Sequence, residues 1–400
     1  MTAPRRGFAP SCRDDRMSEL PRPSPEAAAH SERVVAHIRT EIDRAGGWIP
    51  FARYMELALY APGLGYYMAG ARKLGADGDF VTAPELGPLF GHTLARQVAQ
   101  ALEAVGGEVL EIGAGSGALA ASLLEALERV ERLPANYLIV ELSPELRARS
   151  RDTLAARVPH LLERVAWLNG LPPSFTGVVV GNEVLDAMPV NVVRTRGDAF
   201  DEAGVVVAHG AAPFDWAHRP AAAEVEESAR ALALPDAYTT EIGLVARAFV
   251  SSVASMLERG IALFIDYGFP RAEYYHPQRR GGTLMCHYRH RAHGDPFFLP
   301  GLQDITAHVD FTAMAEAAHG AGAEVIGYTT QAQFLINCGL TEVMGRVSPD
   351  DTHRYAPLAG AANTLTSPAE MGELFKVLAF GRGVDTPLAG FRAGDKRRTL

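Results

Sequence analysis

Apolar residues recur at every fourth position at Val34, Ile38 and Ile42, which predicts an amphipathic helix ending near Gly46–Gly47. The stretch YMELALYAPGLGYY that follows is aromatic-rich and broken by Pro62, Gly63 and Gly65; it reads as a core hairpin or an aromatic lid, with core packing the default. A Gly/Asp loop, GADGDFVTAPELGPLFG, then leads into a second helix. From Glu108 the rhythm changes to strand, glycine loop and helix. EVLEIG predicts a strand, GAGSG the loop, and ALAASLLEALERV a helix with Leu119, Leu123 and Leu127 on one face. NYLIVE predicts the next strand. PELRARSRDTLAARV predicts a helix opened by Ser143 as cap, with Pro144 in its first turn. VAWLN and GVVVGNE are continuous apolar runs, as strands buried on both faces require.

Alternating strands and helices imply a parallel sheet with helices on both sides, a Rossmann-like α/β core. Two segments interrupt it. Residues 190–235 carry β-like stretches (VNVVRTRG, AGVVVAHG) and a charged helix, and residues 270–310 are rich in Arg, His, Gly and Pro. Between them a helix near 242–258 and the strand IALFIDYG restore the rhythm. The expected organisation is a flexible tail over 1–30, a helical and aromatic cap over 31–105, and the core over 106–385 with these two insertions. Residues 386–400 read as a loose tail.

Composition narrows the function classes. No apolar stretch approaches the roughly 20 residues that span a bilayer. Cys12, Cys286 and Cys338 form neither a disulfide framework nor a zinc motif, which fits a reducing compartment. A formal charge of −9 argues against a nucleic-acid partner and would suit a basic one. The first residues lack the apolar core of a secretory signal, and Asp14 and Asp15 sit badly in a mitochondrial presequence, so the expected location is cytoplasmic.

The chemistry concentrates at strand ends. In EIGAGSG (Glu111–Gly117), glycines directly after a strand let backbone approach a ligand, and the following helix presents free N–H groups. Gly113, Gly115 and Ala118 also satisfy the loose dinucleotide pattern, so the loop alone admits either NAD or S-adenosylmethionine. Glu141 ends the second strand, where a carboxylate can accept hydrogen bonds from ribose hydroxyls. GNEVLDAMPV (Gly181–Val190) puts Asn182 and Glu183 at the carboxyl ends of the strands, with Asp186 close enough to face the same pocket. Paired acids can grip a guanidinium; they can equally sit at a helix start and interact with its dipole. Asp266, in FIDYG, ends a further strand on that edge and is a candidate for the substrate side. His276, His287, His290 and His293 match no established metal-ligand spacing and read as a solvated basic loop; no metal is expected.

Taken together, YMELALYAPGLGYY, GDFVTAPELGPLFG, LEIGAGSG, GNEVLDAMPV, FIDYG, GGTLMCHYRH and DPFFLPGLQDITAHVDFT resemble the MidA-like family of class I S-adenosylmethionine-dependent methyltransferases, over about residues 32–383. That family includes a mitochondrial complex I assembly factor that methylates arginine. The resemblance implies that Glu111, Gly113, Gly115, Gly117 and Glu141 hold S-adenosylmethionine and that Thr82 and Pro84, in a block spanning Asp79–Glu85, fold over it. Asn182, Glu183 and Asp186 would face the methyl group, and His308 and Asp310 would shape the substrate side or brace the cap. The implied partner is a protein bearing arginine, a respiratory complex I subunit being one candidate. Three other readings stay open: a binding protein that holds the cofactor without turnover, a small-molecule methyltransferase, and an NAD-dependent oxidoreductase.

Overall fold

The computed structural model describes residues 20–69, 82–210 and 212–400. The first helix, α1 (Pro25–Arg44), starts where the Ser24 hydroxyl accepts a hydrogen bond from the Ala27 N–H, and it buries Val34, Ile38 and Ile42. β1 (Ile49–Pro50) and α2 (Phe51–Tyr60) follow, with Phe51, Tyr54 and Leu59 of α2 fully buried. α3 (Leu89–Val105) leads into the alternating stretch: β2 (Glu108–Ile112), α4 (Ala118–Arg129), β3 (Tyr137–Val140), α5 (Pro144–Arg157), β4 (Val165–Leu168) and β5 (Phe175–Asn182). The first insertion forms β6 (Asn191–Arg196), β7 (Ala199–Val207), β8 (Phe214–Pro220) and α6 (Ala223–Arg230), and β9 (Thr239–Ile242) follows it. Then come α7 (Leu244–Met256), β10 (Leu257–Phe269) and the short α8 (Arg271–Tyr274). The second insertion carries β11 (Met285–Tyr288), β12 (Arg291–His293) and β13 (Asp304–Thr306). The chain closes through β14 (Val309–Asp310), α9 (Phe311–Gly320), β15 (Glu324–Thr330), α10 (Gln331–Asn337), α11 (Leu340–Met344), α12 (Thr352–Thr366) and β16 (Phe375–Arg382).

The central sheet has the order β15-β16-β10-β5-β2-β3-β4. Its strands from β10 to β4 run parallel, and β16 is antiparallel to both β10 and β15. Val178, Val179 and Val180 are all buried in β5, as a strand covered on both faces demands. One face packs on α3, α4 and α10–α12, the other on α7 and α9. Because parallel strands all end on one edge, the loops after β2, β3, β4 and β5 gather there, and that edge carries the site.

The two interruptions are not separate ornaments. β1, β6, β7, β8 and β9 form a second sheet, and β11–β13 a third. Residues of α1 and α2 share one apolar core with Val192, Val205, Phe214, Cys286, Phe297 and Ile305, so the N-terminal cap and both insertions make a single lobe. α3, expected in the cap, belongs instead to the core of the main sheet. Two tail boundaries also move. α1 begins at Pro25, within the segment expected to be loose. The C-terminal residues are packed: Phe391 is buried, the Asn337 amide donates to the carbonyls of Gly390 and Ala393, and the Lys396 N–H donates to that of Tyr328. Sequence periodicity misses them because the only regular elements over 386–400 are two single-turn 3-10 helices (Ala389–Phe391 and Arg397–Thr399), too short to show a period.

Candidate active site

A cleft of about 910 Å³ opens along the carboxyl edge of the central sheet, between it and the cap lobe. The turn after β2 forms its floor. Gly113, Gly115 and Gly117 have φ of 71°, 53° and 82°, the left-handed region that glycine enters without steric penalty. At Gly117 space is short as well: a Cβ there would come within 2.8 Å of the Ser150 Cα. The sequence therefore needs glycine for both backbone conformation and close helix approach.

Glu141, at the end of β3, turns its carboxylate back onto this loop. It accepts from the Gly115 N–H at 3.1 Å and the Ser143 N–H at 2.9 Å, and its burial raises its pKa. Glu111 also lines the cleft. Burial pushes it up to about 7, although the Tyr137 hydroxyl donates to it. Thr82 and Pro84 lie on the opposite wall, at a short 3-10 turn (Ala83–Leu86) where the Ser116 hydroxyl donates to Glu85. Asp79, Phe80 and Val81 of that block lie outside the described residues.

At the end of β5, Asn182 and Glu183 face the same cleft. Glu183 has φ of 52°, a costly conformation for a side-chain-bearing residue, about 1–2 kcal/mol. Several hydrogen bonds impose it. The Glu183 N–H donates to the Ile265 carbonyl at 2.9 Å, and the next three N–H groups, of Val184, Leu185 and Asp186, all converge on one oxygen of Asp266. Asp266 is 1% exposed and takes a further bond from the Tyr267 N–H. It is thus an anchor beneath the 183–186 turn, which corrects its expected place on the substrate side. A carboxylate at a strand end satisfies local donors first when the next segment turns sharply over it.

Glu183 is pushed up to about 8 by burial and then by the Asp266 charge. Asp186 is raised by burial and by Asp266, Asp304 and Glu183. Four carboxyls thus crowd one buried region, and burial shifts Glu183, Asp186 and Asp266 among them toward their protonated forms. The Asn182 amide donates to Glu183 at 3.1 Å, while its own side-chain oxygen is buried without a partner among the described residues.

His308 and Asp310 lie elsewhere, which corrects the second substrate-side expectation. Both line a separate cavity of about 40 Å³, with Glu241 and Tyr274. Asp310 caps α9 by accepting from the Ala313 N–H at 3.1 Å. His308 is packed edge-on against Phe269, with its pKa lowered to about 4 by burial and by the Arg279 and Lys376 charges, and so is neutral. In their place the cleft holds Tyr60 and Tyr67 of the cap, with Asp304 behind Tyr67. The aromatic block containing the two tyrosines stands out in the sequence; nothing in its spacing says which rings turn outward.

Residues 93–329 match the family described as “Putative S-adenosyl-L-methionine-dependent methyltransferase”. The chain belongs to this methyltransferase family. A Burkholderia thailandensis protein crystallised bound to S-adenosyl-homocysteine is 56% identical, with a TM-score of 0.92, covering 95% of this chain and 100% of that one. Among curated proteins, this methyltransferase is 29% identical over 405 residues to the Drosophila melanogaster “Protein arginine methyltransferase NDUFAF7 homolog, mitochondrial”, covering 92% of this chain and 90% of the relative. It is 27% identical over 379 residues to the mitochondrial NDUFAF7 protein of Danio rerio, covering 86% and 85%. The MidA-like resemblance and the class I fold hold. S-adenosylmethionine is the cofactor, which closes the dinucleotide alternative.

The same names correct the cytoplasmic expectation, since these curated relatives are mitochondrial proteins. The absence of a secretory apolar core, Asp14 and Asp15, and scattered cysteines do not separate the cytosol from the mitochondrion.

The methyltransferase's residues fit the cofactor. The glycine turn leaves backbone exposed to a ligand, Glu141 offers a carboxylate at ribose height in the fold, and Leu142, an exposed apolar residue beside it, offers a flat apolar surface to a purine. The unpartnered Asn182 oxygen needs a donor, which the cofactor's ammonium group would supply. Bound there, S-adenosylmethionine supplies a methyl group already activated by its positively charged sulfur.

Proposed function

We propose that this methyltransferase modifies a guanidinium nitrogen of an arginine in a protein substrate. The observation that carries the reading is the crowding of Glu183, Asp186, Asp266 and Asp304 beside the glycine turn, with Glu183 facing the cleft. A cationic, planar group entering this region offsets the burial and like-charge repulsion that hold Glu183 and Asp186 toward their protonated forms. Glu183, which faces the cleft, can then hold a guanidinium through charge-assisted hydrogen bonds, while Asp186, expected to face the same pocket, is buried behind it and adds negative charge without lining the cleft. Methylation of a guanidinium releases one proton, and the Glu183 carboxylate, ionised by the bound cation, is placed to take it. The names of the curated relatives, protein arginine methyltransferases, support the same substrate class. A subunit of respiratory complex I is the specific candidate that the family resemblance raises. Asn182, Gly113, Gly115, Gly117, Glu111, Glu141, Thr82 and Pro84 make up the cofactor half.

The test is incubation of the purified protein with labelled S-adenosylmethionine and two matched peptide pools, one bearing arginine and one lysine. Label confined to arginine side chains is expected. Label on lysine, or only on small molecules from an extract, would overturn the assignment.

A further inference from the structure

Tyr60 ends α2, and Tyr67 follows after the turn through Pro62, Gly63 and Gly65. Both line the cleft, and their rings stack with centroids 5.4 Å apart and planes 20° off parallel. Each hydroxyl is tied down at the acidic end of the site. That of Tyr60 donates to the carbonyl of Ala187, the residue after Asp186, at 3.0 Å. That of Tyr67 donates to the Asp304 carboxylate at 2.9 Å, and Tyr66 packs edge-on behind it, 5.0 Å between centroids. Asp304 is itself fixed, 3% exposed, accepting from the Ile305 N–H. Two rings locked at both ends are more than the packing of a cap requires, because fully buried Tyr54 and Tyr66 already supply that from the same segment.

Resting on the arginine reading above, we propose that Tyr60 and Tyr67 form the aromatic wall of the substrate pocket and select a guanidinium over an ammonium. A guanidinium held by carboxylates along its edge leaves its faces for aromatic contact, and it sheds water easily enough to stack. A lysine ammonium is compact, strongly hydrated and has no face to offer. The wall comes from the cap lobe and the carboxylates from the core, so substrate discrimination belongs to their junction. Tyr60 and Tyr67 are specificity-determining residues; the proton chemistry stays with Glu183.

The test compares Tyr60→Leu, Tyr67→Leu and their phenylalanine counterparts in the full-length protein. S-adenosyl-homocysteine affinity, measured by calorimetry, serves as the control for folding. The leucine variants are expected to raise the KM for an arginine peptide about tenfold, with kcat changed less, and to narrow the arginine-over-lysine preference. Phenylalanine should restore most of both. On the unmutated protein, a peptide with carbon-13-labelled arginine should show ring-current shifts to higher field at its Cδ protons when bound with S-adenosyl-homocysteine; this reading needs no variant to fold. Leucine variants with wild-type KM and preference, or a bound arginine without such shifts, would overturn the inference. A wild-type protein that methylates no arginine peptide removes the underlying reading and this inference with it, so the two failures are distinct.

Discussion

On the proposed cofactor side of the cleft, most groups come from one continuous stretch, Glu111 to Glu141, in which a strand, a glycine turn, a helix and a second strand follow one another. On the proposed substrate side, Tyr60, Tyr67, Glu183, Asp186 and Asp304 meet from segments separated by up to 244 residues, the distance from Tyr60 to Asp304 (304 − 60). The first half depends on local backbone geometry. The second depends on the cap docking correctly against the core. Damage to the cofactor half should therefore appear as lost ligand affinity, and damage to the substrate half as lost turnover with affinity for S-adenosylmethionine kept.

The sharpest break of that comparison is Glu183→Gln. Amide for carboxyl keeps the shape but removes both the charge that holds a guanidinium and the proton acceptor, and the expected fall in turnover is on the order of 10²–10⁴. Binding of S-adenosylmethionine, followed by calorimetry, should stay within about threefold of wild type, because loss of one group beyond the ligand's own contacts costs little affinity. Equal loss of binding and turnover would place Glu183 in the cofactor half.

Gly117→Ala addresses the other half. Alanine at φ of 82° costs about 1–2 kcal/mol, and its Cβ would also press on the Ser150 backbone. The α4 N-terminus must shift, and S-adenosylmethionine affinity should fall about tenfold or more. Turnover at saturating cofactor should recover much of its wild-type value. Unchanged affinity would mean that the turn tolerates displacement and that ligand contacts lie elsewhere.

The local half was legible in the sequence for the same reason it is robust. Glycines after an apolar strand, and an acid at the end of the next one, leave few backbone solutions. The place of Glu183 on the cleft was legible from its position after β5, whereas Asp186, expected beside it, is buried and does not line the cleft. Asp266 was misassigned because sequence shows a strand-end carboxylate without showing that three successive N–H groups fold over it. His308 and Asp310 attract notice in DITAHVDF, yet the useful acid of that block is Asp304, four residues before His308. Alternation along β13 and β14 does not say which side chain meets Tyr67 of the cap. The junction of cap and insertions was illegible too, since β1 pairs with β7 across more than 150 residues of chain, Ile49 opposite Val205.

A third effect is smaller and depends on pH. Burial, and then the Asp266 charge, raise Glu183 to about 8, and burial raises Asp266 to about 7, above their unfolded values of 4.5 and 3.8. A raised carboxyl pKa means that the folded state binds more protons than the unfolded one. The associated stability is full below the unfolded pKa and is lost as pH rises through the folded one. The melting temperature of the ligand-free protein should therefore fall between about pH 5 and pH 8.5, with each pKa unit worth about 1.4 kcal/mol at most. Glu183→Gln should flatten the decline and raise the melting temperature at alkaline pH by a few degrees, roughly 2–4 °C per kcal/mol. An inactive variant that is more stable than wild type is what a site under electrostatic strain predicts. A parallel pH profile for the two proteins would show that Glu183 is solvated and ordinary.

The smallest effect belongs to Asp310, which the sequence suggested for the substrate side and the structure places at the start of α9. Its carboxylate accepts the Ala313 N–H and lies 3.6 Å from the Arg271 guanidinium, in the smaller cavity rather than the cleft. Asp310→Ala removes a helix cap worth about 1 kcal/mol. The loss should appear in denaturant unfolding as a lower midpoint with an unchanged slope, because the surface exposed on unfolding stays the same. Asp310→Asn, which can still accept at a helix start, should recover most of it. In both variants the KM for an arginine peptide and the affinity for S-adenosylmethionine should equal wild type. A several-fold rise in KM for Asp310→Asn, with stability intact, would mean that the substrate chain reaches past Ala307 to this second cavity, and the substrate half would then be larger than the cleft.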